Sequence, residues 1–323
     1  MKPLIWIIDE EWPDYDLETK MFQEKYPGCE IKITSTYEYE ADLKSFGREA
    51  DAILAQIYVR FPAEVIEQLT RCKAIAIYGG GFDRVDTRAA KAKGIKVTNV
   101  SGYCKEDLAD YVMAAVYFFY KQVAHLSAEV KSLPWGAPAL PNPPTRLEDS
   151  IMHIIGLGRI GLEVAKRALG NGLTVTAFDA YVTEEAMRAH GVRKVEWDEG
   201  LNGADYVSVN CILTEATTKL VKYDDFKKMK PTAFFINTSR GLVIDEDGMV
   251  RALNEGLIRG AMVDVIQAEP PTYQEKIFSC PNAYVTPHIS YISNQSFAEL
   301  KRRAISNAIC GLEGGISPDL VNP

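Results

Sequence analysis

The sequence has little of what marks several large classes of protein. Its six cysteines form no CxxC pair and no close group with histidine, so we expect neither a metal site nor a disulfide framework. The longest apolar run covers residues 112–120, well below the roughly 20 residues that span a membrane. The 44 acidic residues outnumber the 36 lysines and arginines, giving a net charge of −8, which disfavours nucleic acid as a partner. We therefore expect a cytoplasmic protein that holds no metal and binds neither a membrane nor nucleic acid.

Short apolar segments alternate with helical patterns along the chain, as in parallel α/β proteins. The predicted strands fall into two groups, residues 4–8, 31–33, 52–54, 74–78 and 95–98, and residues 151–155, 174–178, 192–195, 206–209, 233–236, 261–263 and 284–286. Apolar residues at helical spacing predict one long helix over 108–131 between the groups. The next stretch, 132–145, holds five of the 16 prolines and is predicted to be a linker or an arm that packs on a partner. The predicted fold class is therefore α/β, with two doubly wound parallel sheets.

A glycine-rich turn, GLGRIG, directly follows the predicted strand at 151–155. Its glycines, Gly156, Gly158 and Gly161, allow a tight turn, a close approach of the backbone to a pyrophosphate, and close packing of the next helix. Asp179 ends the following strand about 20 residues further on, where a carboxylate accepts hydrogen bonds from both ribose hydroxyls. Its charge would repel a 2′-phosphate, so the pattern predicts NAD rather than NADP. As an alternative, Asp179 caps the next helix, which leaves the choice of cofactor open.

Four polar residues end or follow predicted strands, at the sheet edge where open α/β folds bind their ligands. They are Arg240, Asp264, Glu269 and His288. A guanidinium matches a carboxylate with two hydrogen bonds, and an imidazole beside a carboxylate transfers protons near neutral pH. Each charge alone is typical of an ordinary loop, but their placement along one edge of a dinucleotide-binding sheet predicts a catalytic set.

The other three histidines are predicted to be structural. His125 lies within a helical pattern and His190 precedes a glycine in a polar stretch, and both settings are typical of the surface. His153 lies in an apolar strand and is expected to be a core residue with its polar atoms satisfied.

Taken together, these features resemble the D-isomer-specific 2-hydroxyacid dehydrogenase family, which includes D-lactate, glyoxylate/hydroxypyruvate and 3-phosphoglycerate dehydrogenases and the C-terminal binding protein corepressors. The resemblance runs over nearly the whole chain. It is carried by YGGGFDRVD at 78–86, AAKAKGIKVTN at 89–99, GLGRIG at 156–161, INTSRG at 236–241, MVDV at 262–265, AEPP at 268–271 and TPHIS at 286–290.

The resemblance implies a role for each residue of the candidate site. Arg240 would hold the carboxylate and carbonyl of the substrate, His288 would protonate the carbonyl oxygen as hydride arrives, and Glu269 would hold and tune His288. Asp264 would orient the nicotinamide carboxamide. The implied cofactor contacts are Gly156, Gly158, Arg159, Ile160, Asp179, Asn210, Cys211, Thr238 and Asp264. The implied substrate contacts are Gly80, Gly81, Tyr103 and Arg240.

The resemblance also implies a discontinuous first domain. We expect residues 1–101 plus 291–323 to form a flavodoxin-like substrate domain, to which the last helical pattern, 294–312, returns. Residues 102–290 are expected to form a Rossmann NAD-binding domain. The family also implies a homodimer in which the two domains of each chain close over the ligands.

Several positions depart from the family pattern. The segment 210–214 reads NCILT where the family has His-x-Pro-Leu-Thr, and Asp110-Tyr111 replaces the usual Glu-His. Gln56 aligns best with an arginine of the family, while Arg60 follows a few residues later in an ambiguous register, and this weakens the case for a phosphorylated substrate. Ser290 replaces a residue that is more often glycine or alanine in the family. Formate dehydrogenases of this fold carry glutamine where Glu269 stands, so formate is not expected.

The sequence therefore predicts an NAD-dependent oxidoreductase that interconverts a small 2-oxoacid, such as hydroxypyruvate or glyoxylate, and its D-2-hydroxyacid. Two alternatives stay open at this point, a D-3-phosphoglycerate dehydrogenase and an NADH-sensing interaction module like the C-terminal binding proteins. The catalytic set does not separate the last alternative from the enzyme, because those corepressors keep it.

Overall fold

The chain folds into two units, and the computed structural model describes residues 2–35 and 39–323 of it. The first unit comprises Met1–Tyr103 and Ser293–Pro323, and the second comprises Cys104–Ile292. The predicted domain borders, 101/102 and 290/291, differ from these by two residues each. Among the described residues, every helix is too short or too polar to cross a membrane.

The first unit is built on a five-stranded parallel sheet. Its strands are β1 (Leu4–Ile8), β2 (Glu30–Thr34), β3 (Ala52–Gln56), β4 (Ala74–Tyr78) and β5 (Lys96–Thr98). Its first helices are α1 (Asp16–Lys25), α2 (Tyr39–Ser45), α3 (Ala63–Ile66) and α4 (Thr87–Ala92). The sheet order β2-β1-β3-β4-β5 is flavodoxin-like. Every residue of β3 and β4 is buried, because helices cover both faces of a parallel sheet, and this explains their unbroken apolar sequences.

The second unit is built on a seven-stranded parallel sheet. Its strands are β6 (Ile151–Ile155), β7 (Thr174–Phe178), β8 (Arg193–Lys194), β9 (Tyr206–Val209), β10 (Phe234–Asn237), β11 (Gly260–Val263) and β12 (Ala283–Val285). Its helices are α5 (Lys105–Lys121), α6 (Val123–Glu129), α7 (Arg159–Gly170), α8 (Glu184–Ala189), α9 (Trp197–Gly203), α10 (Tyr223–Phe226) and α11 (Glu246–Asn254). The order β12-β11-β10-β9-β6-β7-β8 is the Rossmann order with one added strand, and it reverses between β6 and β9. The predicted fold class is confirmed.

The predicted single helix over 108–131 is wrong, because the helix breaks at Gln122. That residue has a left-handed backbone with φ of 51° and separates α5 from α6. The helical spacing of apolar residues continues across the break, which is why the periodicity did not reveal it. All of α6 is exposed except Leu126, which is half-buried.

The last helix, α12 (Asn294–Leu312), belongs to the first unit. It begins with a capping box in which the Ser293 side chain accepts from the Ser296 N–H. It packs closely on the sheet, since an added Cβ at Gly311 would lie 2.5 Å from the Cβ of Ala74.

Candidate active site

The candidate catalytic residues lie beyond the carboxyl ends of three neighbouring strands, β10, β11 and β12. Backbone hydrogen bonds connect the loops that follow these strands. The Asp264 N–H donates to the Asn237 carbonyl at 2.9 Å, the Thr286 N–H donates to the Val263 carbonyl at 3.0 Å, and the His288 N–H donates to the Asp264 carbonyl at 3.0 Å. The parallel sheet therefore brings segments distant in sequence to one edge.

Glu269 and His288 form a mostly buried pair. The His288 Nδ1 lies 3.2 Å from Glu269 Oε2, and the two side chains are 12% and 11% exposed. Glu269 Oε1 accepts a hydrogen bond from the Ile266 N–H at 3.1 Å. Burial by itself raises the pKa of Glu269, but the hydrogen bond and charge of His288, the Ile266 N–H and the charge of Arg240 outweigh burial and lower it. An ionised carboxylate only accepts, so Nδ1 donates and proton exchange with a substrate falls to Nε2.

Arg240 stands on a loop that is closed by Asn237, the last residue of β10. The fully buried Asn237 accepts from the Ser239 N–H at 3.0 Å and from its hydroxyl at 2.8 Å, and it donates to the Arg240 carbonyl at 3.1 Å. At Gly241, an added Cβ would lie 2.0 Å from the carbonyl carbon of Ile266. Only glycine therefore lets the Arg240 loop pack on the backbone of the loop that carries Glu269.

Asp264 is almost fully buried and holds the loop that carries His288. Its Oδ1 accepts from the Thr286 hydroxyl at 2.6 Å and the Ile289 N–H at 2.9 Å, and its Oδ2 accepts from the Ser290 N–H at 2.8 Å. Three of its roughly four acceptor positions are thereby used inside the protein. The predicted contact of Asp264 with the nicotinamide carboxamide stays a prediction.

The glycine-rich turn has the geometry expected for binding a pyrophosphate. Gly156 has a φ of 90°, and an added Cβ there would lie 2.8 Å from the Cys211 backbone nitrogen. At Gly161 an added Cβ would lie 2.2 Å from the Gly156 carbonyl oxygen. At Gly158, the N-cap of α7, it would meet none of the described atoms within 4 Å. The open side at Gly158, where Arg159 and Ile160 begin the helix, leaves space for a phosphate group at a helix N-terminus.

Asp179 follows β7 and contacts the same turn. Its Oδ2 accepts from the Leu157 N–H at 2.9 Å, and its Oδ1 accepts from the Tyr181 N–H at 2.8 Å and the Val182 N–H at 3.1 Å. The N-cap of α8 is Thr183, so the alternative that Asp179 caps this helix is wrong. The carboxylate is instead held beside the glycine-rich turn.

Two buried polar atoms near the strand ends of the second unit have no hydrogen-bond partner among the described residues, Oδ1 of Asn210 and Oγ1 of Thr238. Asn210 follows β9 and Thr238 follows β10, and both are predicted cofactor contacts. Buried polar atoms without a partner are costly unless a ligand satisfies them. The adjacent Cys211 thiol has its pKa raised to about 11 by burial, so it is a neutral group. The glycine turn, Asp179 and these two atoms fit a dinucleotide.

The predicted substrate contacts of the first unit follow β4 and β5. The Asn99 side chain donates to the Gly80 carbonyl at 2.6 Å, Gly81 is half-buried, and Tyr103 is buried. Gln56, the position of the missing arginine, is buried and donates to Asp9 Oδ1 at 2.7 Å. The roles of Gly80, Gly81 and Tyr103 stay predictions.

The three remaining histidines lie apart from the catalytic set. His125 and His190 are exposed. His153 is fully buried in β6 with Nδ1 3.1 Å from the Thr176 hydroxyl, but its Nε2 has no partner among the described residues, so the predicted full satisfaction is wrong. Burial lowers the pKa of His153 to about 4. Within residues 2–35 and 39–323, no three His, Cys, Asp or Glu side chains form a group suited to a metal ion.

Sequence reasoning missed three residues that hold the site together, Tyr111, Asn237 and Thr286. Asn237 and Thr286 stand inside motifs that point to the site, two or three residues from Arg240 and His288, and Tyr111 is a departure from the family pattern. Their positions were visible in the sequence, but their partners were not.

Comparison with known proteins identifies relatives for most of the chain. A family model for the D-isomer specific 2-hydroxyacid dehydrogenase NAD binding domain matches residues 113–290. A glyoxylate reductase from Thermococcus litoralis is 32% identical over 280 residues, covering 85% of this chain and 84% of that protein. A hydroxypyruvate reductase from Thermotoga maritima is 32% identical over 276 residues, covering 85% of this chain and 87% of that protein.

A solved structure is also similar over nearly the full length. It is a D-lactate dehydrogenase from Aquifex aeolicus complexed with NAD and lactic acid, with 25% sequence identity and a TM-score of 0.87. The similarity covers 99% of each chain. The fold is therefore shared with a D-lactate dehydrogenase, and the NAD-binding region matches that of the D-isomer specific 2-hydroxyacid dehydrogenases.

Proposed function

This chain belongs to the D-isomer specific 2-hydroxyacid dehydrogenase family and is an NAD-dependent oxidoreductase, and we propose that it reduces glyoxylate or hydroxypyruvate with Arg240, Glu269 and His288 as its catalytic residues. The observation that carries the proposal is the buried Glu269–His288 pair at the strand ends, next to the Arg240 loop. The glyoxylate and hydroxypyruvate reductases among the relatives support this substrate class.

Arg240, His288 and Glu269 each have a separate role in the reduction of the substrate carbonyl. Arg240 binds the substrate carboxylate and polarises the carbonyl through its planar, permanently charged guanidinium. His288 donates a proton from Nε2 to the carbonyl oxygen, which becomes the hydroxyl of the product. Glu269 holds the ring through Nδ1, and its ionised state stabilises the protonated imidazole before transfer. When bound, the reduced nicotinamide supplies the hydride to the carbonyl carbon.

The cofactor is NAD, and Asp179 accounts for its preference over NADP. The carboxylate is held at the end of β7 by three backbone N–H groups, so it cannot turn away from a ribose bound there. A 2′-phosphate would then be placed against a fixed negative charge, which is unfavourable. We expect NADH to be used far more efficiently than NADPH.

The first unit supports a substrate without a phosphate group. Gln56 is buried and bonded to Asp9, so this position presents neither a positive charge nor a free amide to a ligand. A phosphorylated substrate needs cationic or N–H partners. This favours glyoxylate or hydroxypyruvate over 3-phosphohydroxypyruvate.

We also propose that the chain forms a homodimer and acts in the cytoplasm. Exposed apolar side chains along and after α6, namely Val123, Val130 and Trp135, support an arm that packs on a second copy; Trp135 is 91% exposed. All six cysteines are free thiols, which is typical of reducing compartments. Light scattering of the purified protein tests the dimer.

The experiment that tests the function follows NADH consumption with glyoxylate, hydroxypyruvate, pyruvate, phenylpyruvate and 3-phosphohydroxypyruvate. We expect the highest kcat/KM with glyoxylate or hydroxypyruvate. The variant His288→Asn, chosen because asparagine tolerates the left-handed φ of 55° at this position, should lower kcat by roughly 100- to 10,000-fold. NADH affinity, measured by fluorescence, should stay nearly unchanged.

The matched control is His190→Asn, which changes an exposed histidine of the same unit and should leave kcat unchanged. If no 2-oxoacid is reduced, the proposed substrate class is wrong. If His288→Asn retains full turnover, the assignment of His288 as the proton donor is wrong.

A further inference from the structure

A chain of hydrogen bonds connects helix α5 to the loop that carries His288. The Tyr111 hydroxyl lies 2.5 Å from the Thr286 hydroxyl, and the Thr286 hydroxyl donates to Asp264 Oδ1 at 2.6 Å. Tyr111 and Thr286 are 175 residues apart in sequence. The contact therefore ties the helix at the start of the second unit to a loop near its end.

The direction of this chain is determined by its acceptor. The Thr286 hydroxyl donates its single proton to Asp264 Oδ1, so it can only accept from Tyr111. Tyr111 must then be the donor to Thr286. Burial raises the pKa of Tyr111 to about 12, with the charge of Asp264 adding to the rise and the Thr286 contact opposing it, so the phenol keeps its proton at neutral pH.

The loop held by this chain has a strained backbone. His288 has a φ of 55°, a left-handed conformation that is uncommon for residues other than glycine. Such conformations persist only where the surrounding structure holds them. The groups that hold this one are the Asp264 carbonyl, which accepts from the His288 N–H at 3.0 Å, and the Asp264 carboxylate, which accepts from Thr286, Ile289 and Ser290 on either side.

We propose that Tyr111 is a positioning residue that orients the Asp264 carboxylate through Thr286 and so keeps the His288 ring at hydrogen-bond distance from Glu269. The inference rests on the proposed function, because it takes His288 as the proton donor. The Tyr111 hydroxyl bonds to Thr286, so its link to the His288 loop runs through Thr286 and Asp264. It stands where the family pattern has histidine, which makes the phenol a feature of this chain.

The test compares Tyr111→Phe, Thr286→Val and Thr286→Ser with a control on the same helix, Tyr117→Phe. Tyr117 also donates through its hydroxyl, to Asn171 Oδ1 at 2.5 Å, but it has no contact with the His288 loop. Each variant is assayed for kcat, for KM of the 2-oxoacid, for NADH affinity by fluorescence, and for its thermal unfolding midpoint.

We expect Tyr111→Phe to lower kcat about tenfold, and Thr286→Val about 100-fold, because the second change removes the hydroxyl donor to Asp264 Oδ1 and also leaves the Tyr111 hydroxyl without its acceptor. Thr286→Ser keeps the hydroxyl and should recover most of this loss. The double variant Tyr111→Phe/Thr286→Val should be no worse than Thr286→Val alone, since the chain is already broken. NADH affinity should change by less than about threefold in Tyr111→Phe. The control Tyr117→Phe should have the kcat, KM and NADH affinity of the parent.

A second readout does not depend on activity. With only four histidines in the chain, the ring signals of a protein labelled with ¹³C-histidine can be assigned to His288 by comparison with His288→Asn. In the cofactor-free protein, Tyr111→Phe should shift and broaden the His288 signals, and Tyr117→Phe should not.

The possible failures are distinguishable. If His288→Asn retains turnover, the proposed role of His288 as the proton donor fails, and the His288 signals in Tyr111→Phe still show whether Tyr111 positions the ring. If His288→Asn loses turnover but Tyr111→Phe keeps the kcat and the His288 signals of the parent, the positioning role of Tyr111 is wrong. A loss confined to the thermal midpoint would assign Tyr111 to stability alone and would also overturn the inference.

Discussion

Asp9 in the first unit and Asp264 in the second are buried carboxylates that each follow a parallel strand. Asp9 Oδ1 accepts from the Gln56 amide at 2.7 Å and the Glu11 N–H at 3.1 Å, and Oδ2 accepts from the Trp12 N–H at 3.0 Å and the Tyr15 hydroxyl at 2.5 Å. The Asp264 carboxylate likewise accepts three hydrogen bonds from the loop at 286–290. Both carboxylates are therefore buried acceptors that each hold a loop through several hydrogen bonds.

The two units differ in the residues that lie on the loop held by each carboxylate. The loop held by Asp9 carries Trp12 and Tyr15, which pack within the first unit, with Trp12 making ring contacts to Tyr78 and Phe297. The loop held by Asp264 carries His288 in a left-handed conformation. A buried carboxylate that accepts several hydrogen bonds at a strand end is therefore a framework group in one unit and supports the candidate catalytic residue in the other. Burial and saturation alone do not identify function.

The largest expected effect comes from removing Asp264. Asp264→Ala leaves the Thr286 hydroxyl and the Ile289 and Ser290 N–H groups without their acceptor, so the loop loses its shape. We expect kcat for 2-oxoacid reduction to fall by about 1,000-fold, close to the effect of losing His288 itself. Asp264→Asn keeps one oxygen acceptor, so its kcat in steady-state assays should lie between those of Asp264→Ala and the parent. Unchanged turnover in Asp264→Ala would show that this loop holds His288 without the carboxylate.

Asp9→Ala should act on stability instead. It removes the acceptor of four donors inside the first unit, and we expect the free energy of unfolding to fall by about 3 kcal/mol. NADH affinity should be unaffected, because the predicted cofactor contacts all lie in the second unit. Thermal unfolding and NADH fluorescence of the same preparation measure both quantities. A variant that unfolds normally but loses NADH affinity would contradict the contrast between the two carboxylates.

The two units also differ inside their strands, and this difference predicts a free energy of unfolding that depends on pH. Strand β1 of the first unit is apolar throughout, whereas β6 of the second contains the buried His153. The pKa of His153 is about 4 in the folded protein against 6.5 ordinarily, so between these values the unfolded chain binds a proton that the folded chain does not. The contribution of His153 to the free energy of unfolding is therefore fully present above about pH 6.5. It decreases by roughly 3 kcal/mol as the pH drops to about 4.

His153→Gln tests this pH dependence, because glutamine is similar in size and does not titrate. As the pH is lowered from 7 to about 4, the thermal midpoint of the parent should fall relative to that of the variant. His190→Gln, at an exposed position, is the control and should follow the parent at every pH. A difference that is constant with pH would mean that His153 accepts a proton in the folded state.

Part of the candidate site was predictable because it depends on local patterns. Arg240 and His288 were found from their places after apolar segments, since parallel strands end at a common edge. The pairing of Glu269 with His288 was only implied by the family, because Glu269 lies five residues beyond Asp264 and nothing local defines the path of that loop. The contact between Tyr111 and Thr286 was not predictable, because it joins residues 175 positions apart whose side chains have no shared pattern.

The order of apolar segments and the glycine-rich turn in the sequence alone determined a parallel α/β fold with a dinucleotide site, because strand and helix periods and glycine backbone freedom are local properties. Only the tertiary structure decided which donors each buried carboxylate receives, that the long helix stops at Gln122, and that Asp264 supports the His288 loop. These outcomes depend on side chains brought together from distant segments, where packing and hydrogen-bond geometry, not neighbouring residues, select the partner.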